Sequence, residues 1–144
     1  MGRVRGTAVV VDSHAVLLRG GSGTGKSDLA LRLIDGGAKL VADDYTEVTK
    51  HEGRIMATPP DELMGLLEVR GLGVIRLPWE APAPLVAVFE LVEPDQVERH
   101  PEPEVETLEG VDLPRFRVAP FEAAAAAKVR LAVRLATGGI MRVP

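Results

Sequence analysis

Residues 20–27 read GGSGTGKS, which satisfies G-x-x-x-x-G-K-[ST] and stands between an apolar run and an amphipathic one. No other stretch limits the fold as sharply. It asks for a strand before, a helix after, and a space between them that side chains do not fill. The run before it, AVLLR, is apolar and reads as a buried strand. After it, Leu29, Ala30, Leu31 and Leu33 predict a helix over residues 27–34, closed by Gly36 and Gly37 as a glycine C-cap.

Each residue type in the loop has a chemical reason. Gly20, Gly21, Ser22, Gly23, Thr24 and Gly25 let successive backbone N–H groups converge on a phosphate without side-chain interference. The following helix adds unsatisfied N–H groups and the positive end of its dipole. Lys26 brings a mobile charge to the β- and γ-phosphates, and the Ser27 hydroxyl can ligate Mg²⁺. The expected cofactors are therefore ATP and Mg²⁺, with Lys26 facing solvent and contributing charge rather than core. The bland alternative, a glycine-rich turn with an incidental lysine, does not account for both flanks.

Asp43 and Asp44 close the apolar run AKLVA. Ligands of open α/β sheets gather at the carboxyl ends of strands. If this strand runs parallel beside the one before the loop, both aspartates reach the loop's side of the sheet. One carboxylate could hold Mg²⁺ through water and the other accept a proton from an attacking hydroxyl. Side chains alternate along a strand, so both can serve only where the strand is already ending. A helix cap or a solvated turn is the structural alternative.

Elsewhere, TAVVV and AVLLR flank Asp12-Ser13 as a hairpin, and YTEVTK and RIMAT pair across HEG. Residues 60–67 suggest a helical turn, PLVAVFELV is a strand, and FEAAAAAKVRLAVRLA is a helix by propensity, ended by Gly138-Gly139. Eight of the eleven prolines lie between Pro78 and Pro120, which predicts mostly loops and edge strands there. The result is a single α/β domain over residues 1–144: a mixed central sheet bearing the phosphate loop, flanking helices and an N-terminal β-hairpin. A net charge of −4 argues against a nucleic-acid binder, and no run nears 18 apolar residues, so a cytoplasmic protein is expected. The lack of cysteine removes thiolate metal sites and Cys nucleophiles, and His14, His51 and His100 have no ligand spacing. Trp79 is expected to cover the edge of the core, and Lys128, Arg130 and Arg134 to form a solvated flank of the last helix.

The loop, helix and aspartates, followed by PPDELMGLLEVRGLGVIRL, resemble the catalytic domain of HPr kinase/phosphorylase. The later GVDLPRFRVAPFEAAAAAKVRLAVRL resembles its compact α-proteobacterial form. The likeness runs from about Thr7 onward, and the loop, ADD and EVRGLG in that order are specific. It implies a serine protein kinase acting on an HPr-like phosphocarrier protein of the phosphotransferase system, and in many members phosphorolysis as well. It assigns residues 20–27 to nucleotide phosphates, Asp43 to general acid/base and Asp44 to the metal shell. Glu68, Arg70 and Gly71 enter the site through E-[IV]-R-G. Glu68 and Arg70 are two apart, on one face of a strand, where a carboxylate and a guanidinium could take Mg²⁺ and a transferring phosphoryl group. A cross-strand ion pair on a solvated face is the alternative. Two other functions stay open: a nucleotide-binding regulatory module without phosphotransfer, and a P-loop kinase with a different acceptor.

The sequence departs from the family pattern. Long members carry an extra N-terminal domain, whereas this sequence opens on the first kinase strand. The segment after RGLGVIRLP is short, so a mobile basic loop of longer members is expected to be trimmed. The family's usual His-Gly stands here as Arg5-Gly6. With Asp12-Ser13 as a two-residue turn, facing residues sum to 25 and Arg5 falls opposite Gly20. His14, at the turn, is then six residues or roughly 20 Å from Gly20 and cannot replace that histidine. A permanent guanidinium at position 5 should make Asp43 a poorer proton donor, leaving forward transfer with weak or absent phosphorolysis. Oligomeric state is left open.

Overall fold

The computed structural model describes residues 2–21 and 23–143. Strands β1 (Gly2–Arg5), β2 (Thr7–Val11) and β3 (His14–Arg19) lead into helix α1 (Lys26–Asp35). Strands β4 (Lys39–Ala42), β5 (Tyr45–His51) and β6 (Arg54–Thr58) follow, then the small hairpin β7 (Leu66–Val69) and β8 (Gly73–Arg76). The chain continues through β9 (Ala83–Leu91), β10 (Glu104–Leu108) and β11 (Val111–Val118) to helix α2 (Ala125–Ala136).

Asp12 and Ser13 both adopt positive φ, 50° and 69°, the geometry of a two-residue turn that matches the twist of its strands. The β2–β3 ladder accordingly pairs Val11 with His14 and Thr7 with Leu18, each summing to 25. That register stops short of Arg5. Gly6, at φ 155°, turns the chain away so closely that a Cβ there would stand 2.9 Å from the Leu18 carbonyl oxygen. Strand β1 then pairs with β5, and Arg5 faces Tyr45 rather than Gly20.

The large sheet runs β1-β5-β6-β9-β3-β2-β4, with β11 joined to β9 and β10 to β11. Strand β2 is antiparallel to both β3 and β4, so β3 and β4 point the same way with β2 between them. The expected adjacency of β4 to β3 is therefore corrected, while the shared direction holds. Strand β9 is parallel to β3 and to β11, so four strands end on the side of the glycine-rich loop.

The proline-rich segment supplies a central strand and a hairpin, more order than the sequence suggests. The two strand prolines fall where their strands have one partner only. Pro84 faces Met56 of β6 just before β3 joins at Leu85. Pro114 faces Val105 of β10 just before β9 joins at Arg115. The missing N–H therefore costs no ladder bond on a second edge.

Val9, Val11, Val16 and Leu18 face α1 and α2, packing with Leu29, Leu33, Val129 and Val133. Their neighbours Ala8, Val10, Ala15 and Leu17 face the opposite way, under Val48, Ile55, Leu108 and Leu113 of the curled outer hairpins. Burial on both faces explains why β2 and β3 read as unbroken apolar runs. Arg130, expected on a solvated flank, donates to the Leu33 carbonyl at 3.3 Å, beside the Gly36 and Ala38 N–H groups that already close the C-terminal end of α1. Trp79 is half-exposed, bridged to Leu40 through its backbone, at the edge of the core. No helix among the described residues is long and apolar enough to cross a membrane.

Candidate active site

The glycine-rich loop leaves β3 and enters α1 at an open cleft of about 660 Å³. Gly25 is the N-cap, at φ 102°, and has no side chain to offer the first-turn N–H groups, which stay available to an anion. A Cβ there would meet Phe121 Cζ at 3.0 Å and Pro120 at 3.1 Å, so backbone strain and space both require glycine. Thr24 Oγ1 donates to the Gly21 carbonyl at 2.6 Å and pins the loop from within. Ser22, assigned to the loop from sequence, lies outside the described residues.

Lys26 is only 8% exposed, which corrects the expectation that it faces solvent. Its ammonium donates to the carbonyls of Gly20 at 2.7 Å and Gly21 at 3.0 Å. The lysine thus shapes the loop as well as charging it, because an ammonium this buried must satisfy its N–H groups on nearby acceptors.

Strand β4 ends at Ala42, and Asp43 and Asp44 follow in a turn closed by Gly6 N–H on the Asp44 carbonyl at 2.8 Å. The two carboxylates therefore escape strand alternation and both line the cleft. Their surroundings differ. Asp43 Oδ1 accepts from Thr7 Oγ1 at 2.9 Å and, at 3.4 Å, from Ser27 Oγ. Its Oδ2 accepts from the Glu68 backbone N–H at 3.3 Å. Three elements thus orient one carboxylate. Asp44, at φ 68°, is half-exposed, and its carboxylate lies 3.9 Å from the Arg5 guanidinium. Arg5 lines the cleft, but it reaches it from β1 rather than from opposite Gly20, and its carboxylate neighbour is Asp44 rather than Asp43.

Glu68 lies on β7, whereas Arg70 lies past the strand's end, in the turn before β8. The expectation of one shared strand face is corrected, because the chain reverses at Arg70 and Gly71, where Gly71 takes φ 92°. Both side chains nevertheless line the cleft, as do Gly23, Gly25, Lys26, Ser27, Asp43 and Asp44.

Sequence reasoning missed Thr7, which is fully buried. Besides donating to Asp43, its Oγ1 accepts from Asp44 N–H at 3.3 Å. A lone polar residue opening an apolar strand was the available signal. It also missed Leu31 and Phe121, the cleft's apolar wall, and Arg19. Arg19 closes β3 just before the loop and is held by Glu90 through Nε at 2.8 Å and by Glu106 at 2.8 Å. Burial works against the Arg19 charge, but those carboxylates outweigh it and raise its pKa.

The family model for the HPr Serine kinase C-terminal domain matches residues 2–78, the part of the chain that holds the loop, both aspartates and Glu68 with Arg70. The chain belongs to this family. Among curated relatives, HPr kinase/phosphorylase of Clostridium tetani is 45% identical over 76 residues, 53% of this chain and 25% of its own. HPr kinase/phosphorylase of Shouchella clausii is 45% identical over 75 residues, 51% of this chain and 24% of its own. The chain therefore spans about a quarter of the length of these relatives over the matched region. A solved Hpr(Ser) kinase/phosphatase from Coxiella burnetii shares the fold, with a TM-score of 0.85 at 22% identity, covering 96% of this chain and 98% of that one.

Proposed function

We propose that the chain is, as one catalytic domain, an ATP- and Mg²⁺-dependent serine kinase whose acceptor is an HPr-like phosphocarrier protein. The observation that carries this reading is Asp43, fixed by Thr7, Ser27 and the Glu68 backbone at the mouth of a glycine-rich loop. In the forward reaction the acceptor serine oxygen attacks the γ-phosphorus. The bond to the β–γ bridging oxygen breaks, ADP departs, and the serine proton passes to the Asp43 carboxylate. Lys26 and the loop N–H groups hold the phosphates, and Arg70, exposed at the cleft, offers a charge to the transferring group.

Mg²⁺ in such sites relies on one or two carboxylates together with phosphates and water rather than on a protein cage. The described residues fit that pattern: Ser27, Asp44 and Glu68 line one open cleft beside the glycine-rich loop, two carboxylates and a hydroxyl rather than a closed cage. Ser27, Asp44 and Glu68 would hold the ion, which would neutralise charge on the β- and γ-phosphates.

Phosphorolysis is proposed to be weak. Arg5 lies 3.9 Å from Asp44 and stands where the family has a histidine, and a guanidinium cannot replace an imidazole in relaying a proton to the departing serine oxygen. Incubating phosphorylated acceptor with inorganic phosphate tests this, and pyrophosphate release as fast as forward transfer refutes it.

Asp43→Asn tests the central claim. Asn can keep the bonds from Thr7 and Ser27 but sets its NH₂ against the Glu68 N–H. Transfer from γ-labelled ATP to HPr should fall roughly 10²–10⁴-fold, with ATP binding little changed. Full transfer by this variant, together with loss in Asp44→Asn, exchanges the two roles. A wild-type protein that binds ATP and phosphorylates no partner is instead a nucleotide-operated regulatory module.

A further inference from the structure

We infer that Phe121 and Leu31 form the seat for the aromatic base of a nucleotide whose phosphates occupy the glycine-rich loop. The inference rests on the phosphate-binding reading of that loop and adds the recognition of the base.

The chain has five aromatic residues, and two of its three phenylalanines, Phe89 and Phe116, stack with centroids 5.3 Å apart. Phe121 is different: it is 71% exposed, yet it lines the cleft. An exposed phenylalanine on a loose loop would mean nothing, but this one has a fixed mount. The Arg32 guanidinium donates to the carbonyls of both flanking residues, Pro120 and, at 3.3 Å, Glu122. The same guanidinium pairs with Asp28 at 2.9 Å, which offsets a carboxylate directly after Ser27 that would otherwise repel phosphate. The tip of the ring lies beside Gly25, where a Cβ would stand 3.0 Å from Cζ and crowd it. The aromatic surface therefore borders the loop.

Leu31 completes the wall from α1, where it is half-exposed within the same cleft. It stands four residues past Ser27, or roughly 6 Å farther along the helix axis at about 1.5 Å per residue. That offset suits a group separated from the phosphates by a ribose. The same cleft carries Arg5, Asp43, Asp44, Glu68 and Arg70, charged groups suited to the phosphates and the reacting groups rather than to stacking, which leaves Phe121 as its one aromatic face among the described residues. A base on Phe121 and phosphates on the loop leave the carboxylates of the same cleft for the reacting group, as the proposed reaction requires.

The test compares Mg²⁺-ATP with Mg²⁺-tripolyphosphate, which has the phosphates and no base, by titration calorimetry on the whole chain. Phe121→Ala should weaken ATP binding about 5- to 150-fold, the range of base–aromatic stacking, and leave tripolyphosphate binding within about two-fold. Phe121→Trp should keep ATP affinity, since stacking needs an aromatic face and not phenylalanine itself. Equal weakening of both ligands by Phe121→Ala overturns the inference, because the ring would then act through Gly25 and the loop. Unchanged ATP affinity in Phe121→Ala overturns it while leaving the phosphate site intact. A wild-type chain that binds neither ligand refutes the phosphate site, and the base seat with it.

Discussion

Thr7→Val isolates the device that aims Asp43. Valine keeps the branched shape and the strand preference of threonine, so packing inside β2 is preserved and only the hydroxyl is lost. Two hydrogen bonds go with it: the charge-assisted one to Asp43 Oδ1 at 2.9 Å and the longer one from Asp44 N–H at 3.3 Å. A bond to a charged group contributes about 1.5–3 kcal/mol and a neutral one about 0.5–1.5 kcal/mol. Asp43 keeps Ser27 and the Glu68 N–H and is itself partly exposed, so water replaces part of the loss on its side and the net cost should be about 1–3 kcal/mol. At about 3 °C per kcal/mol for a chain of this size, the melting temperature should drop by roughly 3–10 °C. Circular dichroism melts measure that drop. Transfer to HPr should fall by at least about ten-fold, since a misaimed base loses proton-transfer efficiency, while tripolyphosphate affinity should hold. A Thr7→Val protein with wild-type melting temperature and wild-type transfer would show that Thr7 does not orient Asp43.

Lys26→Ala should abolish measurable ATP and tripolyphosphate binding and also lower stability by about 1–3 kcal/mol, because two loop carbonyls lose their donor; a folded variant with unchanged affinity refutes the phosphate loop. Glu104 probes the outer face of the sheet. Arg117, then Arg115, hold its carboxyl down from 4.5 to about 2. A depressed carboxylate stabilises the fold fully above its unfolded value and loses that contribution as pH falls through the folded one. Glu104→Gln should therefore melt below wild type at pH 6, with the gap closing between about pH 4.5 and pH 2; a gap that stays constant over that range removes the linkage.

The determinants written in contiguous sequence were legible. The loop with its flanks, the Gly36-Gly37 stop and the two-residue Asp12-Ser13 turn depend on backbone preferences of the residues themselves, and those preferences act over a few positions. Asp12-Ser13 fixed the β2–β3 register for that reason. The same arithmetic failed one residue beyond, at Gly6, because the Leu18 carbonyl closes on it and glycine lets the chain leave the ladder. Local pattern also placed Asp43 and Asp44 beyond a strand end, near the loop. Their different environments came from elements far apart in sequence: Thr7 and Glu68 for Asp43, Arg5 for Asp44. Only the curled sheet brings those together, with β2 wedged between β3 and β4, two of the strands that point toward the cleft. The mounting of Phe121 by Arg32 is tertiary for the same reason, since its bonds span about 90 residues, whereas Lys26 is held by carbonyls of its own loop that periodicity cannot pair. Sequence marked the candidate residues for a phosphate, and packing decided which carboxylate is held against Ser27 and which lies beside a guanidinium.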